Sequence, residues 1–286
     1  MTKEVTACID GSRSSEAVCD AAVWASSKLS MPLTLLHVLE KSAFAETDLS
    51  GNIGLGVREH LLQQLTELDA QRSRLAMESG RLMLEDTATR ISSHHPALEI
   101  STLQRHGRLT ENILDRQDHI ELLVIGRQGQ SHDEHDSTHV GSQLETVTRT
   151  VRCPVLVTTG HFTTPDKIMM AYDGTEAALA TLQRHVGSQL LNGTECHLVM
   201  VNHDDSAHIA SFGEAVKLLQ NRSDIRLKTA HLTGELETVL TEYKQKHQIQ
   251  LIVMGAYGHS RFRQFFIGSH TRNMLNHTNI PLLLLR

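Results

Sequence analysis

The chain has 286 residues, 40% of them apolar and 21% charged, with 3% aromatics and a net charge of −6. That length suits two ordinary domains, and the composition is globular, with cores to be built from Leu, Ile, Val, Ala and Met. The acidic balance excludes a general nucleic-acid binder, which would present a basic surface, but not a nucleotide site, because phosphate binding needs only local donors.

The opening MTKEVTACID shows no basic region leading into an apolar stretch, so no secretory signal is expected. No apolar run reaches the roughly 18–20 residues of a membrane span. Cys8, Cys19, Cys153 and Cys196 form no C-x-x-C pair; two of them sit in expected strands and read as small buried hydrophobes, and a reducing cytoplasm is expected.

Taken in chain order, the first strand reads TACIDGS over Thr6–Ser12, and the same signal returns as MMAYDGT over Met169–Thr175. Asp10-Gly11-Ser12 and Asp173-Gly174-Thr175 lie 163 residues apart. A helix follows each, Ser14–Lys28 and Glu176–Leu191, with preceding hydroxyl residues suited to cap it. The second strands, Leu33–Leu39 and Cys196–Asn202, keep the spacing, Val38 matching Val201. Copy one then carries a long helical segment from Arg58 to about Ile91, with Leu61, Leu62, Leu65, Leu68, Leu75, Leu82 and Leu84. Copy two has only Ser206–Gln220. Beyond this the offset falls to 127–129, pairing Gly107 with Gly234, Gly126 with Gly255, Gly141 with Gly268 and Pro154 with Pro281. One deletion of about 36 residues in copy two accounts for the change.

Continuous apolar runs such as Leu122–Ile125 and Leu251–Met254 suit strands covered on both faces. Strands alternating with helices predict parallel sheets with right-handed crossovers. The fold class is therefore α/β: two tandem doubly wound, Rossmann-like domains, 1–160 and 161–286, joined by a linker near Thr159–Lys167. The last strands of the copies, Cys153–Thr158 and Ile280–Leu285, read as buried central strands of their own sheets, since an apolar strand at a sheet edge is an aggregation hazard unless it is paired.

The chemistry concentrates in the loop Gly255-Ala-Tyr-Gly258-His-Ser-Arg-Phe-Arg-Gln-Phe-Phe-Ile-Gly268-Ser269. It follows a strand and enters a helix, where open α/β sheets bind ligands. Gly255 and Gly258 permit close backbone approach, and Gly268 opens a helix whose free N–H groups favour an anion. Ser269 and Thr271 add hydroxyl donors, while Arg261 and Arg263 bring charge for outer phosphates. His259 is a ligand-contact candidate or simply an exposed loop residue.

This pattern resembles the universal stress protein family in its tandem two-domain form. The resemblance covers both copies. ATP-binding members of that family carry G-x2-G-x9-G-(S/T) after the fourth strand, and Gly255, Gly258, Gly268 and Ser269 fit it. The resemblance also implies adenosine contacts at Asp173 and Val201, and a fold of the adenine nucleotide alpha hydrolase type. In the family the last strands join two domains about a pseudo-twofold axis, which a tandem would satisfy as an intrachain pseudo-dimer; a further homodimer stays open. Copy one departs from the pattern. Gly126, Gly129, Gly141 and Ser142 are present, but eleven residues instead of nine separate the second and third glycines. The insert brings Asp133, Glu134 and Asp136 where phosphates would lie, and Leu144 replaces the hydroxyl of Thr271. Copy one, although it keeps Asp10 and Val38, is therefore expected to have lost its ATP site.

Nineteen histidines are many for this length. His132, His135 and His139 form H-x2-H-x3-H among carboxylates, a set Zn2+ accepts, with a solvated acidic loop as the simpler account. His37 and His197 lie in apolar strands and read as core histidines. There is no G-x-x-x-x-G-K-[ST], no kinase signature and no evident base. No catalytic residue is therefore assigned. The expectation is a stress-response module in which copy two binds ATP, with Mg2+ carried by the nucleotide, and signals to a protein partner. A slow ATPase and an interaction protein with a vestigial loop are the alternatives.

Overall fold

A computed structural model describes residues 3–40, 55–128, 142–202, 205–255, 274 and 278–286. Its strands form one ten-stranded sheet. The first half runs β1 (Glu4–Cys8), α1 (Ser14–Leu29), β2 (Leu33–Leu39), α2 (Leu55–His94), β3 (Ile100–His106), α3 (Leu109–Arg116), β4 (Ile120–Gly126), α4 (Ser142–Thr150) and β5 (Val155–Thr158). The second runs β6 (Lys167–Tyr172), α5 (Glu176–His185), β7 (Glu195–Val201), α6 (Ser206–Gln220), β8 (Arg226–Leu232), α7 (Leu236–His247), β9 (Leu251–Gly255) and β10 (Leu282–Leu285). The strand order, β3-β2-β1-β4-β5-β10-β9-β6-β7-β8, is a palindrome of two doubly wound halves. All pairings are parallel except β5 with β10, which is antiparallel, with Leu283 opposite Leu156. The two terminal strands are thus each other's neighbours at the centre of the molecule.

Period-2 alternation sends side chains of each strand to opposite faces, and two apolar cores result. One packs Val5, Ala7, Leu35, Val124 and Leu156 under α1, α5, α6 and the end of α2. The other packs Leu36, Leu123, Ile125, Val157 and Leu284 with Ile113 of α3, Val147 of α4 and Leu240 of α7. Prolines at the entries to β5 and β10 lack an N–H and contribute only carbonyls: Pro154 accepts from Leu123 at 3.0 Å and Pro281 from Ile252 at 3.1 Å. The duplication is preserved at the level of single hydrogen bonds.

Three expectations are corrected. The helix predicted over Glu176–Leu191 stops at His185, and a separate 3-10 turn forms over Gln189–Leu191, because Gly187 and Ser188 interrupt it. Hydroxyl capping holds only in the second half, where Thr175 Oγ1 accepts from the Ala178 N–H at 3.1 Å. α1 begins behind Arg13, itself helical, with no side-chain cap. In α2, Leu65, Leu68, Leu75 and Leu82 stand exposed, and of the described leucines in its predicted apolar series only Leu84 enters the core.

A buried histidine fixes the start of β7. His197 is fully buried and bonds Tyr243 Oη through Nδ1 and Glu195 Oε1 through Nε2, both at 2.9 Å. Hydrogen bonds from His197 and from Lys228 hold the Glu195 carboxyl down to about 2, below its ordinary 4.5. A depressed folded-state pKa stabilises the fold above the unfolded value, and that contribution is lost as pH falls toward 2. Glu195→Gln should therefore lower unfolding free energy at pH 7, and its deficit should shrink between pH 4.5 and 2. Urea denaturation at each pH reads this out; a deficit independent of pH would assign the effect to packing alone.

Candidate functional site

In each half the strand order reverses between the first and fourth strands, and the carboxyl ends there diverge to leave a crevice. In the second half this point lies between β6 and β9. Asp173 follows the last residue of β6, and Val201 closes β7 one step beyond the Tyr172–Met200 pair, so the two sit side by side at the edge. Gly255 ends β9 opposite Leu285 of β10. The structure therefore brings Asp173, Val201 and Gly255 to one edge of the sheet. Gly258, His259, Arg261, Arg263, Gly268, Ser269 and Thr271 lie outside the described residues, as do His132, His135, His139 and the neighbouring acids of the first half.

The local turn explains why Asp-Gly-hydroxyl recurs. Asp173 Oδ1 accepts the Thr175 N–H at 3.0 Å and the Thr175 hydroxyl at 2.7 Å, a side-chain turn that aims the chain into α5. Gly174 sits at φ 75°, where a β-carbon is disfavoured. Asp10 repeats the turn, Oδ1 accepting from the Ser12 N–H at 3.0 Å and the Ser15 hydroxyl at 3.3 Å. In the second half both of these bonds use one carboxylate oxygen, so the other remains for an outside donor such as a ribose hydroxyl.

The glycines ending β4 and β9 serve different ends. A β-carbon on Gly126 would lie 2.9 Å from the Ser14 β-carbon, so packing alone demands glycine there. A β-carbon on Gly255 would meet nothing within 4 Å among the described residues. Packing against those residues gives no reason for glycine at that place, while approach of a ligand to the backbone does.

The first-half crevice is open, about 780 Å³ in volume, and lined by Asp10, Ser12, Val38, Gly126 and Arg127 among others. The C-terminal part of α2 walls it, with Gly80 against the His37 ring and Met83 Sδ 3.2 Å from where a Gly11 β-carbon would be. His37 is a core histidine whose Nδ1 bonds the Ile9 carbonyl at 2.9 Å. Leu144 points into the second core at 2% exposure and offers no donor. In the second half α6 takes the place of α2, and His208, held to Asp205 at 2.5 Å, covers Gly174. Sequence reasoning missed His208 and Met83, since nothing local marks a helix residue that will fold back over a distant turn.

All four cysteines are free and buried, and desolvation pushes Cys8 and Cys196 up to about 12 and Cys19 and Cys153 to about 11. Among the described residues no cluster of three potential ligands is placed to hold a metal, and no helix is long and apolar enough to cross a membrane.

Comparison with known proteins gives a consistent answer. The model of the universal stress protein family matches residues 1–159 and again 165–286. A curated universal stress protein of Synechocystis sp. is 32% identical over 289 residues, covering 99% of this chain and 100% of that one. The solved universal stress protein of Archaeoglobus fulgidus superposes with a TM-score of 0.70 at 16% identity, covering 98% of this chain and 97% of its own. A functionally unknown protein of Pseudomonas aeruginosa gives 0.58 at 13% identity, covering 99% and 92%. These structural likenesses, at such low identity, establish the fold.

The contact between His208 and Gly174 can be tested directly. Gly174→Ala should cost about 1–3 kcal/mol of unfolding free energy, from the left-handed backbone and the collision with His208. Adding His208→Ala should restore only part of it, the backbone share remaining. Chemical denaturation of the two variants beside the parent measures both shares.

Proposed function

The chain belongs to the universal stress protein family, and from that premise we propose that its C-terminal half binds ATP at the carboxyl edge between β6 and β9, with Mg2+ carried by the phosphates, as a nucleotide-dependent regulatory module of the stress response. The observation that carries this reading is the convergence of Asp173, Val201 and Gly255 at the switch point, with glycine at 255 where packing against the described residues does not require it. From that edge the sequence continues as Gly258, Gly268 and Ser269 at the spacing of a phosphate loop. The free oxygen of Asp173 suits a ribose hydroxyl, and a helix opening at Gly268, as the sequence predicts, would offer main-chain donors to the phosphates. The metal would need few protein ligands, because the triphosphate supplies most of its oxygens. The first-half crevice is sterically open, yet the longer acidic insert after Gly129 argues against a triphosphate there.

Equilibrium dialysis with labelled ATP and Mg2+ is expected to give one saturable site per chain. Gly268→Val should abolish it, and Asp173→Asn, which keeps an oxygen for the turn, should weaken it about tenfold, the equivalent of roughly one charge-assisted hydrogen bond. Absence of saturable binding at millimolar nucleotide would leave the chain an interaction protein with a vestigial loop.

A further inference from the structure

Every residue of α2 from 63 to 79 is exposed, and the helix becomes buried only from Gly80 onward, through Leu84 and Ile91. A helical arm with so little cover is marginal in water, yet its outer face is not polar. Leu68, Leu75 and Leu82 recur at seven-residue intervals, a spacing that Leu61 continues in the sequence, with Leu65 beside them. Leu65, Leu68, Leu75 and Leu82 are 43%, 42%, 71% and 51% exposed. At about 3.6 residues per turn the row lies on the side of the helix opposite Leu84 and Ile91. Scattered surface leucines need no explanation, but a row along one face does.

A seven-residue apolar repeat is the pattern of helices that pack on other helices, and the charges beside the leucines select the partner and its direction. Set antiparallel, Leu68 meets the partner's Leu75, and Leu75 meets the partner's Leu68. On one flank Arg74 then stands about 3 Å along the axis from the level of the partner's Glu67, and on the other Arg72 stands equally close to the level of the partner's Asp69. The twofold axis makes each pair twice. Set parallel, the flanks exchange. Arg74 would then neighbour the partner's Arg72, and Glu67 the partner's Asp69, both repulsive. Glu78 and Glu85, on the Glu67 flank, are already held by Arg81 of the same helix, at 2.6 and 2.5 Å. An antiparallel pair also keeps the two bodies apart, since each is joined to the C-terminal end of its own helix.

We propose that this leucine row is a dimerisation surface whose occupant is α2 of a second copy of the chain, packed antiparallel with the leucines inside and the arginine–carboxylate pairs along the rims. The counterpart helix of the second half, α6, has 15 residues and presents Ile209 as its one large exposed apolar side chain. Each chain therefore offers one such row, and a row that pairs with itself closes as a dimer instead of propagating.

Sedimentation equilibrium of the full chain is expected to show a monomer–dimer equilibrium. Leu68→Glu combined with Leu75→Glu, at positions exposed in the single chain, should leave a monomer whose near-ultraviolet circular dichroism is unchanged. Arg74→Glu alone should weaken the dimer at least about tenfold, and adding Glu67→Arg should recover it, because the pair is then only reversed. A parent chain that is monomeric at every soluble concentration would overturn the proposal. So would a dimer that survives both glutamates, or a charge reversal that its complement does not repair. The charge-reversed chains keep every leucine, so they decide the matter even if the double-glutamate chain misfolds. Binding of a monomeric parent to phosphatidylglycerol vesicles would assign the row to a lipid surface instead.

Discussion

The antiparallel pairing of β5 with β10 is the contact on which the rest of this molecule depends. Each half ends in an apolar strand, Val155–Thr158 or Leu282–Leu285, whose outer edge would otherwise expose unpaired N–H and C=O groups. By pairing Leu282 with Val157 and Leu284 with Val155, the chain satisfies both edges at once and merges two five-stranded sheets into one. Further ties cross the same seam: Lys28 Nζ to the Asn192 carbonyl at 2.8 Å and Arg127 Nη1 to the Thr278 carbonyl at 2.6 Å. Burial at the Thr278 contact lowers the pKa of the Arg127 guanidinium from its ordinary value, through loss of hydration, yet its hydrogen bond is kept.

Within that frame the halves have diverged where the sheet does not constrain them. The central strands retain their correspondence, down to the paired prolines, because a strand covered on both faces has no freedom to slip. The helices do not. α2 runs for 40 residues and walls its crevice, whereas α6 has 15 and reaches the equivalent turn only with His208. α1 extends 16 residues over the sheet, and α5 ends after 10. Differences in helix length thus give the two crevices different walls on one duplicated sheet.

Much of this was legible in the residues. Leu33–Leu39 and Ser206–Gln220 are read to their end residues because β-branched and leucine-rich runs or a 3.6-residue period were bounded by clear punctuation. The early end of α5 was not, since Leu190 and Leu191 continue the apolar pattern past Gly187 and bury themselves in a 3-10 turn instead. Ser12 gave a false capping signal: the hydroxyl is right, but Arg13 enters the helix first. The repeat places Asp173, Val201 and Gly255 at strand ends, while the reading of Asp173 and Val201 as ligand contacts came only from the family resemblance; His208 and Met83 reach their turns through tertiary packing that no local pattern encodes. The exposed leucines Leu65, Leu68, Leu75 and Leu82 of α2 show the converse limit, a helical period that lies off the face, at Gly80, Leu84 and Ile91, by which the helix packs on the sheet.

The direction of the central ladder also governs which way the two halves face. Because one half-sheet is turned end for end relative to the other, their carboxyl edges look out from opposite poles of the molecule. No single compact ligand can bridge them, and a protein docking over one pole leaves the other free. Duplication inside one chain has therefore left two carboxyl edges free to differ in sequence, which a symmetric assembly would keep identical.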